Sequence, residues 1–315
     1  MTVAEAALIG LDWGTTSLRA YRIDLAGRVL ELRNRDAGIL KVANRDFAEA
    51  LAATVGDWLA AAPHLPVLAA GMIGSRQGWR EVPYAPLPAG LAELAAGLVT
   101  VSGDGSRTVQ LVPGLIRPAA AADFPDVMRG EETQIMGDLA AGHGADQRCY
   151  VLPGTHSKWA WCEGGRIVRF ATYMTGEVYD VLVRHSILGR LMEPGEPDDA
   201  AFAAGLERAA RSAGAGPGQL LHDLFSTRTL GLTGAMPPPA LASYLSGLLI
   251  GAEIAAADTR TGAITVLGSS TLASLYDRAA TAAGLRVTVG ETDAAARGLH
   301  AIARAAGLIP EHAHA

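Results

Sequence analysis

Apolar and polar positions along the first forty residues alternate as they do in a meander. Leu8–Trp13 is a short apolar run, Gly14–Ser17 a polar turn, and Leu18–Asp24 alternates as a strand does. Ala26-Gly27 turns the chain, and Arg28–Arg35 alternates apolar with charged residues, which predicts a third, half-exposed strand. Asp46–Ala61 predicts a helix with positions 47, 51, 55, 58 and 59 on its apolar face. Val67–Ala70 is a short buried strand that empties into the glycine-rich stretch Gly71–Trp79, and Gly130–Ala141 predicts another helix.

The second half opens in the same way. Cys149–Leu152 reads as a strand, Pro153–Ser157 as a turn, Lys158–Cys162 as a strand, and Glu163-Gly164-Gly165 as a hairpin turn into Arg166–Thr172. Helices are predicted at Val178–Leu191, Ala200–Ala213, Gln219–Leu230 and Pro239–Asp258. Ile264–Leu267 is a strand entering Gly268-Ser269-Ser270, followed by a helix at Leu272–Ala283, a strand at Val287–Val289 and a helix at Ala294–Ala306. The pattern repeats while side-chain identity does not. Two α/β halves follow, with the boundary in the Gly142–Asp146 loop: an N-terminal domain over 1–142 and a C-terminal domain over 146–315.

Composition narrows the classes. Half of the 315 residues are hydrophobic and 18% are charged, which excludes a disordered or fibrous chain. A net charge of −6 offers no broad cationic face to nucleic acid or anionic lipid, and 5% aromatics are too few for a stacking platform. Cys149 and Cys162 lie in no metal-ligand spacing and read as reduced thiols of a cytosolic protein. Glu5 stands where a signal peptide would carry positive charge. Leu241–Ala257 is short of the ~20 apolar residues of a spanning helix and is interrupted by Glu253, so it reads as a buried helix. The expectation is a cytoplasmic protein with neither nucleic-acid nor membrane partners. The apolar residues near 244–256 are compatible with a homodimer, and Leu248, Leu249, Ile250 and Ile254 read as interdomain core.

No GxxxxGK[ST], strand-to-helix GxGxxG or HExxH is present, and His312 and His314 read as a solvated tail. What can carry chemistry is a set of polar turns, each following a short apolar strand. In Asp12-Trp13-Gly14-Thr15-Thr16-Ser17, the acid can hold Mg²⁺ through waters, and the small residues leave N–H and O–H groups for phosphate. Gly154-Thr155-His156-Ser157-Lys158 has similar ingredients plus an ammonium. Lys158 is one of two lysines among 26 basic residues. Gly268-Ser269-Ser270 precedes a helix, where a small-residue turn admits a base or ribose. An ordinary turn is a sufficient reading of each alone.

Their order resembles the two phosphate loops and the adenosine loop of the actin, sugar-kinase and heat-shock-chaperone superfamily. Further segments narrow the likeness: Leu11–Arg19 (LDWGTTSLR), Gly71–Trp79 (GMIGSRQGW), Met128–Gln134 (MRGEETQ), Leu152–Trp159 (LPGTHSKW), Met174–Glu177 (MTGE) and Tyr244–Glu253 (YLSGLLIGAE). Together they resemble the 2-dehydro-3-deoxygalactonokinase family from about Leu8 to about Gly307. The resemblance implies two ribonuclease-H-like (actin-like ATPase) domains with an interdomain active-site cleft, ATP and Mg²⁺, and a small sugar-acid substrate phosphorylated on its 6-hydroxyl. It implies that Asp12 orients magnesium, that Gly14, Thr15, Thr16 and Ser17 form the first phosphate loop, and that Gly154, Thr155 and Ser157 form the second. Gly268, Ser269 and Ser270 match the adenosine loop.

Larger sugar kinases of the superfamily carry Gly-Asp where this chain has Gly130-Glu131-Glu132. The base that accepts the hydroxyl proton is assigned to Glu131, with Glu132 as the alternative and an acidic helix start as the structural reading. A carboxylate substrate calls for a fork-like donor: Arg76 first, in a glycine-flanked loop beside Gln77, and Arg129 second. Lys158 suits either a phosphate or the substrate carboxylate. Trp13 and Trp79 read as core more than cleft, and Asp123 and Asp126 as helix caps. The competing readings are a kinase for a related sugar or sugar acid, such as 2-keto-3-deoxy-gluconate, and a non-catalytic ATP-switched binding protein.

Overall fold

The computed structural model describes residues 5–102, 107–119, 124–142, 147–216, 218–257, 259, 262–268, 270–290 and 293–310. The opening meander is β1 (Ala6–Trp13), β2 (Leu18–Asp24) and β3 (Val29–Arg35), with antiparallel pairing of β2 to both neighbours. Helix α1 (Phe47–Ala61) starts where the Asp46 carboxylate accepts the Glu49 N–H at 2.9 Å, an N-cap. Its Phe47, Leu51, Val55, Trp58 and Leu59 are the buried face that the periodicity predicts, packed with Leu11, Leu18 and Val67. Strand β4 (Val67–Ala70) runs parallel to β1, with Asp12 paired to Ala70.

Between β4 and the next helix lie elements that the pattern did not announce: β5 (Ala85–Pro86), α2 (Leu91–Ala96), β6 (Val99–Ser102), β7 (Thr108–Leu111), β8 (Leu115–Arg117) and β9 (Asp126–Met128). Each is at most six residues long, too short for a period to register. Asp126 opens β9, and its side chain accepts the Val127 N–H, so it is not a helix cap; Asp123 lies outside the described residues. Helix α3 (Glu131–Ala140) follows.

The second half runs β10 (Gln147–Leu152), β11 (Ser157–Glu163), β12 (Arg166–Tyr173), α4 (Thr175–His185), α5 (Asp199–Ser212), α6 (Gln219–Leu232), α7 (Leu241–Ala256), β13 (Ala263–Val266), α8 (Ser270–Ala282), β14 (Arg286–Val289) and α9 (Ala294–Ala305). The helix expected to reach Leu191 stops at His185. There the Ser186 hydroxyl bonds the Leu182 carbonyl and accepts the Leu188 N–H, which competes with the helical ladder.

Two sheets share one five-strand order, to which the first adds β6 at its edge, antiparallel to β7. The first has the order β3-β2-β1-β4-β7-β6 and the second β12-β11-β10-β13-β14. In each, a three-strand meander lies beside parallel strands that arrive by crossover. This is the ribonuclease-H-like order, present twice. β5, β8 and β9 form a separate small sheet.

By contacts the chain forms two compact units, Met1–Gln147 with Trp161–Phe170 and Glu291–Ala315 in one, and Arg148–Ala160 with Ala171–Gly290 in the other. The chain therefore passes between units more than once, where a single boundary at 142–146 was expected; residues 143–146 lie outside those described. Helix α9 returns to the first unit and packs on α3. A Cβ on Gly298 would stand 1.8 Å from the Thr133 carbonyl oxygen, and one on Gly137 1.9 Å from that of Ala294, so the helices meet backbone to backbone.

In the second unit the 19-residue stretch Pro238–Ala256 is long and apolar enough to cross a membrane by composition alone, but much of it is buried in the protein. Tyr244 and Leu248 pack with Ala201 and Ala209 of α5, and Leu245 and Leu249 with Leu188. These residues are core of this one unit. Exposed apolar side chains of this unit include Leu221, Phe225 and Leu232 of α6. Both cysteines are buried. His312 and His314 lie outside the described residues.

Candidate active site

In the first unit, the carboxyl ends of β1 and β4 and the start of α3 converge. Asp12 is the next-to-last residue of β1, beside Ala70 of β4. Gly71, which follows, is so close to Trp13 that a Cβ there would stand 2.9 Å from the Trp13 carbonyl oxygen; a Cβ on Gly130 would lie 3.3 Å from the Gly71 Cα. Gly130 has φ +113°, a conformation that favours glycine, and it delivers the chain into Glu131 and Glu132. Ligand sites of open α/β sheets gather at such carboxyl ends.

The turn after Asp12 is held from behind. Its Gly14, Thr15 and Thr16 carbonyls accept N–H groups of Ile39, Leu40 and Gly38 at 3.0–3.2 Å, while Thr15, Thr16 and Ser17 stay exposed. Asp12 is mostly buried, with Arg19 3.9 Å away. Burial raises its carboxyl above the ordinary range, and the Arg19 charge opposes this. Trp13 is core: its indole N–H donates to the Ala37 carbonyl at 2.8 Å and its ring meets Phe47 edge-on, while Trp79 stacks on Phe47.

The two glutamates have different surroundings. Glu131 is half-buried and accepts the Arg129 N–H at 3.0 Å. Glu132 is fully buried and accepts the Gly130 N–H at 2.7 Å and the Thr133 hydroxyl at 3.1 Å. Burial, reinforced by the neighbouring Glu131 charge, pushes the Glu132 carboxyl up to about 7.

The two arginines also part company. Arg76 is 85% exposed, with Glu81 at 3.5 Å, and Gln77 beside it is exposed too. Arg129 is buried: its guanidinium stacks on Tyr84 at 4.3 Å and donates to the Val82 carbonyl at 2.7 Å, while Nε and Nη1 find no partner among the described residues. Arg129 thus joins the segment before α3 to residues 82–84.

In the second unit, the turns after the adjacent parallel strands β10 and β13 lie side by side. The Leu267 N–H donates to the Val151 carbonyl at 2.9 Å, and a Cβ on Gly268 would touch Pro153 at 3.4 Å. Gly154 has open space where a side chain would be, and Thr155 and His156 are exposed. Ser269 lies outside the described residues, and Ser270 begins α8. Lys158 and Ser157 face inward: the ammonium donates to the Thr172 hydroxyl at 2.7 Å, and the Ser157 hydroxyl donates to Glu253 at 2.7 Å. His156 bonds Glu177 of the Met174–Glu177 segment at 2.5 Å.

The residues missed from sequence are the partners that organise these turns: Glu253, Thr175 and Tyr276 in the second unit, Tyr84 in the first. Glu253 had a signal, a lone carboxylate inside an apolar helix. Tyr84 had none.

Two ribonuclease-H-like units, with polar turns after the carboxyl ends of their strands, give the chain the fold class of the actin-like sugar kinases. The model of the family described as 2-keto-3-deoxy-galactonokinase matches residues 12–302, so the chain belongs to that family. It is 37% identical over 304 residues to the 2-dehydro-3-deoxygalactonokinase of Escherichia coli (strain K12), covering 95% of this chain and 98% of that one. A Rhizobium meliloti (strain 1021) protein provisionally given the same name is 38% identical over 300 residues, 94% of this chain and 96% of that one. A Sinorhizobium meliloti crystal structure, also provisionally so described, superposes with TM-score 0.83 at 36% identity, covering 95% of this chain and 98% of its own.

Proposed function

We propose that the chain transfers the γ-phosphoryl group of ATP to the 6-hydroxyl of 2-dehydro-3-deoxy-D-galactonate, giving the 6-phosphate and ADP in galactonate breakdown, in the cytoplasm. Family membership supports the reaction. The observation that carries the site is the meeting of Asp12, Gly71 and the Glu131–Glu132 pair at the carboxyl ends of β1 and β4.

Glu131, half-buried at the start of α3, takes the proton of the attacking hydroxyl as its oxygen bonds to the γ-phosphorus and the bond to ADP breaks. Glu132 is the alternative base. The exposed hydroxyls of Thr15, Thr16 and Ser17, with the Gly14 turn, serve phosphate oxygens, as do Gly154 and Thr155 of the second unit. Ser157 supports that second turn from within, and Lys158 contributes positive charge behind it. Gly268, Ser269 and Ser270 border the nucleoside. Arg76, with Gln77, takes the substrate carboxylate, and Arg129 supports this region from its buried position.

Asp12 is the residue that would hold Mg²⁺. A single mostly buried carboxylate at a strand end suits a cation that keeps most of its waters and its phosphate ligands, and among the described residues no denser group of metal-ligating side chains occurs. Such an ion neutralises phosphate charge when bound.

The test is ADP release from Mg-ATP with 2-keto-3-deoxy-galactonate, with its gluconate epimer and with no sugar. Turnover that depends on the galactonate compound is expected. Equal rates with and without sugar would remove the kinase reading, and preference for the epimer would reassign the substrate.

A further inference from the structure

Glu253 lies in the last turn of α7, 3% exposed, and the chemistry of the site as described makes no use of it. Burying an ionised carboxylate costs several kcal/mol unless its lone pairs are satisfied. Here all four positions are filled. One oxygen accepts the Ser157 hydroxyl and the Trp159 indole N–H, each at 2.7 Å; the other accepts the Thr175 hydroxyl and the Tyr276 hydroxyl, the latter at 2.7 Å. The donors come from the end of the Gly154–Ser157 turn, from β11, from the first residue of α4 and from α8.

A second observation gives this convergence a direction. The first turn of α4 presses on the same polar turn: the Glu177 N–H donates to the Thr155 carbonyl at 2.9 Å, and a Cβ on Gly176 would stand 2.3 Å from the Gly154 carbonyl oxygen. Ser157 and Thr175, both tied to Glu253, flank that contact on either strand of chain. With no slack between the backbones, a shift of either residue displaces the Gly154–Thr155 peptides.

We infer that Glu253 is a positioning residue for the nucleotide-phosphate turn, locking Gly154–Ser157 against the start of α4. The inference rests on the kinase reading of that turn. It has a chemical corollary. The Ser157 and Thr175 hydroxyl hydrogens are committed to Glu253, so neither hydroxyl can also donate to phosphate, and anion binding falls to the Gly154–His156 main chain and the Thr155 side chain.

The experiment uses the full chain with three variants, reading calorimetric ADP affinity, KM for ATP and for the sugar acid, and Tm. Glu253→Gln keeps the shape. Its amide oxygen must face Trp159, whose indole only donates, so its NH₂ faces Thr175 and Tyr276 and reverses their hydroxyls. Glu253→Gln and Ser157→Ala are expected to weaken ADP and raise KM for ATP at least tenfold, with KM for the sugar acid within twofold of wild type. Trp159→Phe removes a donor from the strand alone and is expected to lower Tm with KM for ATP within twofold.

Unchanged ADP affinity in Glu253→Gln and Ser157→Ala would overturn the inference. So would a rise of both KM values together, or a Trp159→Phe effect on ATP as large as theirs. Should Glu253→Gln not fold, Ser157→Ala against Trp159→Phe decides. Nucleotide binding by the wild type tests the kinase reading itself, and the differences among variants test the positioning role.

Discussion

Gly176 and Gly154 meet at the backbone, with no room for a single added carbon: a Cβ on Gly176 would lie 2.3 Å from the Gly154 carbonyl oxygen. Real Cβ atoms do not approach so closely, and the obstacle is main chain, so Gly176→Ala must push α4 and the Gly154 turn apart. A cost of about 1–3 kcal/mol in stability is expected. Because the displaced peptides are those assigned to phosphate, KM for ATP should rise at least tenfold while KM for the sugar acid changes little. Steady-state kinetics with each substrate varied in turn checks this.

Glu131→Gln should retain ATP affinity and lose turnover by about 10²–10⁴-fold, the usual scale of general-base catalysis. Calorimetry with ATP beside a turnover assay separates binding from chemistry. Near-normal turnover in Glu131→Gln, with the loss appearing in Glu132→Gln, would move the proton acceptor one residue along α3.

Glu132 also makes stability depend on pH. Its carboxyl rises from 4.5 to about 7 on folding, so between those values the folded chain binds more protons than the unfolded one. The stabilisation from this proton is full below pH 4.5 and is lost as pH rises to about 7, a change of roughly 3 kcal/mol. Denaturant melts of wild type across that window should show stability falling with pH relative to Glu132→Gln, which cannot titrate. Parallel curves for the two proteins would show that the burial does not perturb Glu132.

The arginines are expected to separate by readout. Arg76→Met, at an 85% exposed position, should raise KM for the sugar acid at least fivefold and leave Tm and KM for ATP near wild type. Arg129→Met removes the stack on Tyr84 and the bond to Val82, with an expected loss of about 1–3 kcal/mol seen as a lower Tm. A selective effect of Arg76→Met on ATP would instead place that guanidinium at phosphate.

Gly298→Ala should be the most disruptive small substitution in the first unit. The new Cβ would stand 1.8 Å from the Thr133 carbonyl, forcing α9 off the helix that carries Glu131 and Glu132. Expression as soluble protein with a Tm lowered by several degrees, and turnover reduced in parallel, is the expected outcome. An unshifted Tm would mean that the helices have slack where the backbone contact denies it.

Local chemistry was legible from the chain alone. The strands at the two openings, the apolar face of α1 from Phe47 to Leu59, and the polar turns after Asp12 and Pro153 each depend on neighbours within a few residues, and period and turn composition report such neighbours directly. Short motifs likewise carried the family. What lies between β4 and α3 was not legible, because strands of two to four residues in β5 to β9 are stabilised by partners elsewhere rather than by their own pattern.

Tertiary structure decided the rest. The return of α9 to the first unit depends on glycine-to-backbone contacts across more than a hundred residues of chain, which no local period encodes. Arg76 and Arg129 are the same residue type in similar polar company, yet Tyr84 buries one and leaves the other in water. Glu253 looked like a flaw in an apolar helix, and only folding brings Ser157, Trp159, Thr175 and Tyr276 to its two oxygens. A sequence determines which groups exist and what each would bond. Which of them meet is set by packing, since desolvation and hydrogen-bond geometry act only between atoms already brought together.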